Sequence, residues 1–238
     1  MKTLLLLLGA AKLGKVALTA GTMLLSMAVY ALVFGWWYAV GFVLLIFFHE
    51  MGHFVAAKQR GLDVGAPTFI PFVGAWIQLK DQPMNVETEA YVAMAGPVCG
   101  TLAAMGCYYV ADSAQSPIWL ALAYSGLMLN LFNLIPLAPL DGGRITAIIS
   151  PKTWLIGAPI LVALFFWNHS PMLLLVALMA FPQVWATIKG GAQPGLPDRY
   201  YEVPPNTRWS YAAYYLGLAV FLGIMSYQIH ETLQRLRL

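Results

Sequence analysis

Seven long apolar stretches, separated by short turns, constrain the architecture of this chain more than any other feature. Each approaches the roughly 20 residues that a helix needs to cross the hydrocarbon core of a bilayer. The stretches lie near residues 14–34, 36–58, 89–111, 118–139, 152–168, 171–189 and 209–229. Of the 238 residues, 60% are apolar and only 10% are charged. We therefore expect an all-α, polytopic membrane helix bundle of six or seven transmembrane helices.

Positively charged residues at the ends of these stretches predict how the bundle is oriented. Most lysines and arginines fall on one side of the predicted membrane, which the positive-inside rule assigns to the cytoplasm. Arg235 and Arg237 break the pattern, because seven spans with a cytoplasmic N-terminus would place them outside. Short loops and the lack of targeting features favour a prokaryotic inner membrane. Membrane lipid is an expected partner, nucleic acid is not, and the oligomeric state is not predicted.

One connection is apolar but does not have the character of a membrane-spanning helix. Residues 66–79 are too few, and too rich in proline and glycine, to span. We expect a re-entrant β-hairpin or loop sheltered against the bundle, since irregular backbone exposed to lipid would leave polar groups unsatisfied. A second stretch, Ala93–Gly106, is dense in glycine and alanine and is expected to allow close helix packing.

The second apolar stretch contains an H-E-x-x-H motif formed by His49, Glu50 and His53. Because four residues advance a helix by about 400°, the two histidines lie on one face and can bind one metal ion. A charged residue at the bilayer centre costs about 2.5–3.5 kcal/mol on insertion scales, so function is the expected explanation. The alternative is two histidines satisfied by hydrogen bonds in the core. The motif favours a catalytic zinc, with Glu50 placed to activate water.

A catalytic zinc takes three protein ligands and leaves one position open, so a third ligand is expected. Asp141 follows Pro136 and Pro139, which should break the end of the fourth span and free the local backbone. A carboxylate at a broken helix end is suited to hold a metal. The alternative for Asp141 is a simple helix stop beside Arg144. The remaining acidic and histidine residues near span ends are expected to be ordinary interfacial residues: Glu87, Glu89, Asp112, His169 and His230.

Three motifs together resemble the site-2 protease family of intramembrane zinc metalloproteases, peptidase family M50. The motifs are F-H-E-M-G-H at 48–53, A-G-P at 95–97, and N-L-I-P at 133–136 followed by L-D-G-G at 140–143. They match the family in residue type, order and approximate spacing. One position departs from the family, because members often carry Asn three residues after the Gly-Pro pair, where this chain has Gly100.

The resemblance implies roles for five residues. His49, His53 and Asp141 would be the ligands of one Zn²⁺ per chain, Glu50 the catalytic acid/base, and Asn133 a residue lining the active site. An alternative role for Asn133 is a hydrogen bond to a backbone carbonyl that the proline break frees. The resemblance also implies a zinc metalloendopeptidase that cleaves transmembrane protein substrates in or near the membrane, as part of regulated proteolysis.

The resemblance also suggests how the chain is organised and how it meets a substrate. We expect a single integral-membrane protease domain over 1–238, with a catalytic core at about 36–145 and peripheral helices at 152–229. Neither a PDZ nor a CBS domain, which many members carry, is expected. The 66–79 hairpin offers an unpaired edge that could receive an unwound substrate as an added strand. The alternative is that this hairpin only plugs the bundle. The residues predicted to bind substrate there are Phe69, Phe72, Gly74 and Trp76.

Two other functions compete with a protease. The first is a catalytically inactive membrane scaffold that keeps a zinc site for stability, but such a site has no use for a general base between its ligands. The second is a metal-ion transporter, which also buries His and Asp in helices. A transporter would be expected to show several polar spans, whereas the buried charge of this chain is gathered in two.

Overall fold

The chain is almost entirely helical in the part that the structure, a computed structural model, describes. Those residues are 2–71, 74–76, 85–189 and 199–236. The elements in chain order are α1 (Lys2–Phe34), α2 (Trp36–Gln59), β1 (Thr68–Ile70), β2 (Gly74–Trp76), α3 (Val86–Ala114), α4 (Pro117–Asn133), α5 (Asp141–Ala147), a 3₁₀ turn (Pro151–Thr153), α6 (Trp154–Asn168), α7 (Pro171–Ile188) and α8 (Pro205–Leu236). Each of the seven predicted apolar stretches corresponds to a helix.

Five of the described helices are long and apolar enough to cross a membrane. They are α1 over its Val16–Phe34 part, α2, α3, α7 and α8. Two other helices, α4 and α6, are shorter, with 17 and 15 residues. The chain is therefore a multi-pass integral membrane protein, as expected. The count of six or seven spans stays a prediction.

Two of the tight turns between helices are built from the same local chemistry. Gln115 and His169 have positive φ angles of 47° and 50° and end α3 and α6 in the left-handed conformation. Each is followed two residues later by a proline, Pro117 or Pro171, at the start of the next helix. Proline suits that position because the first helical N–H has no partner inside the helix. Both turns lie where the sequence predicts them.

The fourth predicted span is shorter than expected. Helix α4 ends at Asn133, whereas the prediction runs to residue 139. Pro136 cannot donate a helical hydrogen bond and disfavours helical backbone at Ile135, so the helix stops before it. The chain then crosses an irregular segment and becomes helical again at Asp141, the first residue of α5. Asp141 therefore begins a short helix and does not end the fourth span.

Helices α2, α3 and α4 pack closely and form the centre of the molecule. A Cβ on Gly52 of α2 would overlap the Ala95 carbonyl of α3, so only glycine allows this approach. The Tyr38 hydroxyl of α2 and the Ser125 hydroxyl of α4 are 2.6 Å apart and share a hydrogen bond. The close contact at Ala95 agrees with the packing expected of Ala93–Gly106.

Helix α8 packs against α4 and holds the irregular segment that follows it. The Tyr215 hydroxyl donates to the Leu134 carbonyl over 2.6 Å, which satisfies a carbonyl at the broken helix end. The Arg208 guanidinium donates to the Ile149 carbonyl beyond α5 and to the Tyr201 carbonyl. Helix α8 thus contacts the chain both before and after Asp141 and stabilises the segment that carries it.

The two short strands pair antiparallel, with Phe69 of β1 opposite Ala75 of β2. On the other edge of β1, the Thr22 hydroxyl accepts from the Phe69 N–H over 3.2 Å. The Thr19 hydroxyl donates to the Pro67 carbonyl over 2.7 Å. Side chains of α1 therefore occupy the edge of β1 at which a third strand would otherwise pair. Residues 72–73, which connect the two strands, lie outside the described residues, and the re-entrant hairpin stays a prediction.

Candidate metal centre

The two histidines of the H-E-x-x-H motif face each other on one side of α2. Their Nε2 atoms are 3.1 Å apart, as the one-turn spacing requires. His49 is 3% exposed, and Glu50 between them is 8% exposed. Candidate ligand atoms of His49, Glu50 and His53 all lie within 4.8 Å of one another. The motif therefore gathers two imidazoles and a carboxylate in one buried place.

Each histidine is oriented by a hydrogen bond through its other ring nitrogen. The Nδ1 atom of His53 is 2.8 Å from the Val92 carbonyl of α3. Since a carbonyl only accepts, this Nδ1 carries the proton and Nε2 presents a lone pair. The Nδ1 atom of His49 is 2.8 Å from Oδ1 of Asn130 in α4. Neighbouring helices on both sides thus aim the two Nε2 atoms at one point.

Asp141 completes the cluster from α5. Its Oδ2 atom is 3.1 Å from Nε2 of His49 and 3.3 Å from Nε2 of His53. This oxygen is buried and, in the part of the chain that the structure describes, has no hydrogen-bond donor. Two imidazole lone pairs and a carboxylate oxygen are all acceptors, so their close approach is unfavourable without a cation among them. The orphaned oxygen therefore indicates a metal site.

The spacing of the three atoms fits a tetrahedral metal ion. Ligands at about 2.0–2.1 Å from a tetrahedral zinc lie about 3.3–3.4 Å apart. The three separations here are 3.1, 3.1 and 3.3 Å. Two histidines and one carboxylate leave a fourth position free, which is the pattern of a catalytic site. Asp141 begins a helix and its carboxylate lies beside both histidines, and its role as the third ligand stays a prediction.

Gly96 of α3 makes room for the His53 ring. A Cβ at this position would overlap the Nε2 and Cε1 atoms of His53. The Val92 carbonyl, also in α3, accepts a hydrogen bond from the same ring. Helix α3 therefore both makes room for the His53 ring and orients it. The A-G-P motif thus has a specific steric role beside the metal site.

We expect Gly96→Ala to weaken metal binding, since the added methyl group must displace the His53 ring. Gly106→Ala, on the same helix, is the matched control, because a Cβ there meets no atom within 4 Å. Both changes replace a helical glycine by alanine and carry the same gain in helix propensity. Metal content of the purified chains after dialysis should fall for the first variant only. Equal metal content in both would contradict the steric role.

The other predicted residues lie in different settings. Asn133, the last residue of α4, donates from Nδ2 to the Leu129 carbonyl over 3.1 Å. That carbonyl is one turn back, so the alternative bond to a carbonyl freed by the proline break is not the one observed. Phe69 is 2% exposed and its ring stacks on Phe47. A part for Phe69 in substrate binding stays a prediction.

The remaining hairpin residues and span-end residues need only brief mention. Phe72 lies outside the described residues, and Gly74 and Trp76 are placed only by the pairing of β2. The His169 backbone ends α6, and His230 of α8 pairs with Gln234. These two histidines are engaged locally, as expected of interfacial residues.

Sequence reasoning missed the two groups that orient the histidines. Nothing in the sequence indicates the Val92 carbonyl, because any residue offers the same backbone oxygen. The sequence does give a signal for Asn130, since a buried amide inside an apolar span is costly and calls for an explanation. The N-L-I-P motif indicates Asn133 instead, three residues further on.

Comparison with known proteins agrees with the site. Residues 37–117, which include the H-E-x-x-H motif and the A-G-P motif, match the sequence model of Peptidase family M50. The chain is 33% identical over 124 residues to "Zinc metalloprotease MJ0392" of Methanocaldococcus jannaschii. The matched region covers 48% of this chain and 36% of that protein. It is 34% identical over 103 residues to "Putative zinc metalloprotease sll0528" of Synechocystis, covering 41% and 27%.

These matches cover part of this chain and part of each relative. The chain spans about a third of the length of the relatives it matches. The matched residues 37–117 hold both histidines and the glutamate, and α5 adds Asp141 to them. Residues 37–117 therefore match peptidase family M50, and the resemblance to the site-2 protease family is confirmed for this segment.

Proposed function

We propose that this chain is an intramembrane zinc metalloprotease, which hydrolyses peptide bonds within or near the transmembrane segments of other membrane proteins. The observation that carries the proposal is the buried cluster of His49, His53 and Asp141 with Glu50 beside it. Zinc is the proposed metal because the donor set is two imidazoles and a carboxylate in tetrahedral spacing. His49, Glu50 and His53 lie in α2, a helix long and apolar enough to span, which supports a substrate that is itself in the membrane.

The proposed chemistry divides between the ion and the chain. When bound, zinc acidifies water and polarises a carbonyl group. His49, His53 and Asp141 hold the ion with one position open. Glu50 takes a proton from the attacking water and later delivers it to the leaving amine, as a general base and then a general acid. Because Glu50 is buried, it transfers that proton without competition from bulk water.

Asn133 is proposed to line the active site. It ends α4, directly before the irregular segment that leads to Asp141. Its Nδ2 group now donates to a carbonyl of its own helix, and this group could instead donate to a substrate carbonyl. The support for this role is the family motif and its place in the chain.

Substrate binding is proposed to use the edge of β2 that faces away from β1. Within a strand, the backbone groups of residues i and i+2 point to the same edge. The Pro67 carbonyl and the Phe69 N–H both bond to α1, so they point away from β2. Phe69 and Ala75 are therefore a pair without mutual hydrogen bonds. The Ala75 N–H and carbonyl then face outwards, where an unwound substrate strand can add.

We expect Ala75→Pro to weaken substrate binding without disrupting the hairpin, because proline removes only an outward-facing N–H. The loss of one backbone hydrogen bond is worth about 0.5–1.5 kcal/mol, or about 2- to 12-fold in KM. Ala75→Ser keeps the N–H and is the matched control. Cleavage kinetics on a transmembrane peptide should show the rise in KM for the proline variant alone, with zinc content unchanged. Unchanged KM would show that substrate does not add at Ala75.

The whole proposal is tested by comparing membrane proteomes of cells that carry the wild-type chain or its Glu50→Gln variant. Single-span proteins should accumulate uncut in the variant. If purified chain in proteoliposomes moves zinc and cuts no peptide, the function is transport. Bound zinc with neither flux nor any accumulated protein would identify a scaffold.

Localisation is proposed from charge. Lysines and arginines, most of which fall on one side of the predicted membrane, favour an active site toward the cytoplasmic side, and the short loops favour a prokaryotic inner membrane. Arg144, three residues after Asp141, supports this orientation of the metal-binding segment. Transmembrane protein substrates and lipid are the proposed partners.

A further inference from the structure

A buried amide from a third helix contacts the metal centre. Asn130 of α4 is 1% exposed and lies in a mostly apolar helix. Its Oδ1 atom is 2.8 Å from Nδ1 of His49, and its Nδ2 atom is 2.7 Å from the Gly126 carbonyl. A fully buried amide in a membrane helix is costly unless it is paired, and both ends of this one are paired.

The two contacts of Asn130 determine which way its amide faces. The Gly126 carbonyl can only accept, so the NH₂ group must point to it and the oxygen must point to His49. Facing an oxygen, Nδ1 of His49 must donate. The neutral ring then carries its proton on Nδ1 and presents the Nε2 lone pair to the metal position. The carbonyl of one residue in α4 thus determines the tautomer of a ligand in α2.

Helix α3 leaves the space that this amide fills. A Cβ on Gly100 would overlap Oδ1 and would come within 2.9 Å of Cγ of Asn130. The amide therefore sits where α2, α3 and α4 meet, between His49 on one side and Gly100 on the other. Any larger residue at 100 would compete with Asn130 for this place.

We propose that Asn130 is the positioning residue of the metal centre, holding His49 in the tautomer and orientation that bind zinc, in a space that Gly100 keeps open. The inference rests on the proposed zinc function. It also implies that the same space can be filled from the opposite helix. An asparagine at 100 in place of one at 130 would reach the same Nδ1 atom.

The test is zinc affinity of the full chain in detergent, measured by competition with a chelator. We expect Asn130→Ala to bind zinc about 10- to 100-fold more weakly, the usual cost of removing a hydrogen bond behind a metal-binding histidine. Asn130→Asp, which keeps the acceptor oxygen, should retain most of the affinity. Ser125→Ala is the control, because it removes another α2–α4 hydrogen bond, the one to Tyr38, away from the metal.

The decisive variant combines Gly100→Asn with Asn130→Ala. If Asn130 acts through the Nδ1 atom of His49, this double variant should recover affinity that Asn130→Ala alone has lost.

Nitrogen NMR of histidine-labelled, zinc-free chain should show the Nδ1–H tautomer of His49 in the wild type and a mixture of tautomers in Asn130→Ala. Unchanged affinity and an unchanged tautomer in Asn130→Ala would overturn the inference. Failure of the wild type to bind zinc would instead reject the proposed function, and the zinc-free tautomer would still decide the role of Asn130.

Discussion

Glu50→Gln is expected to abolish peptide cleavage while zinc stays bound. Glutamine has nearly the same shape as glutamate, but its amide cannot take a proton from water or return one to the leaving amine. General acid/base catalysis typically contributes about 10²- to 10⁴-fold, so the rate should fall by at least about 10²-fold. The measurement is cleavage of a transmembrane model substrate in detergent or liposomes, with zinc content determined on the same sample.

The control for this change is Glu202→Gln, the same substitution at an exposed glutamate before α8. It should leave both cleavage and zinc content at the wild-type level. Two results would contradict the role of Glu50. Substantial cleavage by the Gln variant would remove it from the chemistry. Loss of zinc would make Glu50 a ligand, since its carboxylate lies within 4.8 Å of the histidine nitrogens.

Asp141→Ala is expected to lose both zinc and activity. Removing one of three ligands should cost more than the 10- to 100-fold typical of groups behind the ligands, so we expect a loss of at least about 100-fold in zinc affinity. Unfolding of the metal-free chain should become no easier, since the variant also removes a buried carboxylate oxygen that has no donor. Zinc should raise Tm in the wild type and not in the variant, because only a bound ligand stabilises the folded state.

Asp112→Ala provides the comparison for this experiment. Asp112 is an exposed carboxylate near the end of α3. Its removal should leave zinc content, the zinc-dependent rise in Tm and cleavage unchanged. An Asp141→Ala chain that keeps full zinc and full activity would show that the third ligand is another group. Comparing the Tm of the two variants with and without zinc distinguishes a metal ligand from a residue needed only for folding.

The helices were largely predictable because their signal is local. A stretch of about 20 apolar residues bounded by Gly, Pro or charge is enough to predict a helix, and each predicted stretch is one. The end of α4 was not placed correctly, because the apolar composition continues past Asn133 while the backbone does not remain helical. Pro136 indicated the break, but hydropathy alone could not say where the helix would stop.

The site was predictable in unequal parts for the same reason. His49, Glu50 and His53 belong to one helix, so their spacing alone brings them together. Asp141 lies almost 90 residues away, and only the proline break and the family resemblance indicated it. In the structure its Oδ2 atom is near both histidines because α5 begins beside α2.

By itself the sequence determined that the chain is a membrane protein, that two histidines and a glutamate share one helical face, and that the helix before Asp141 is broken. These follow from composition, periodicity and proline, which act over one or two turns. Only the tertiary structure decided that Asp141 reaches the histidines, that α1 covers one edge of the hairpin, and that Asn130 orients His49. Each of these depends on how separate elements are rotated and aligned, and for α2, α3 and α4 the close approach requires Gly52, Gly96 and Gly100.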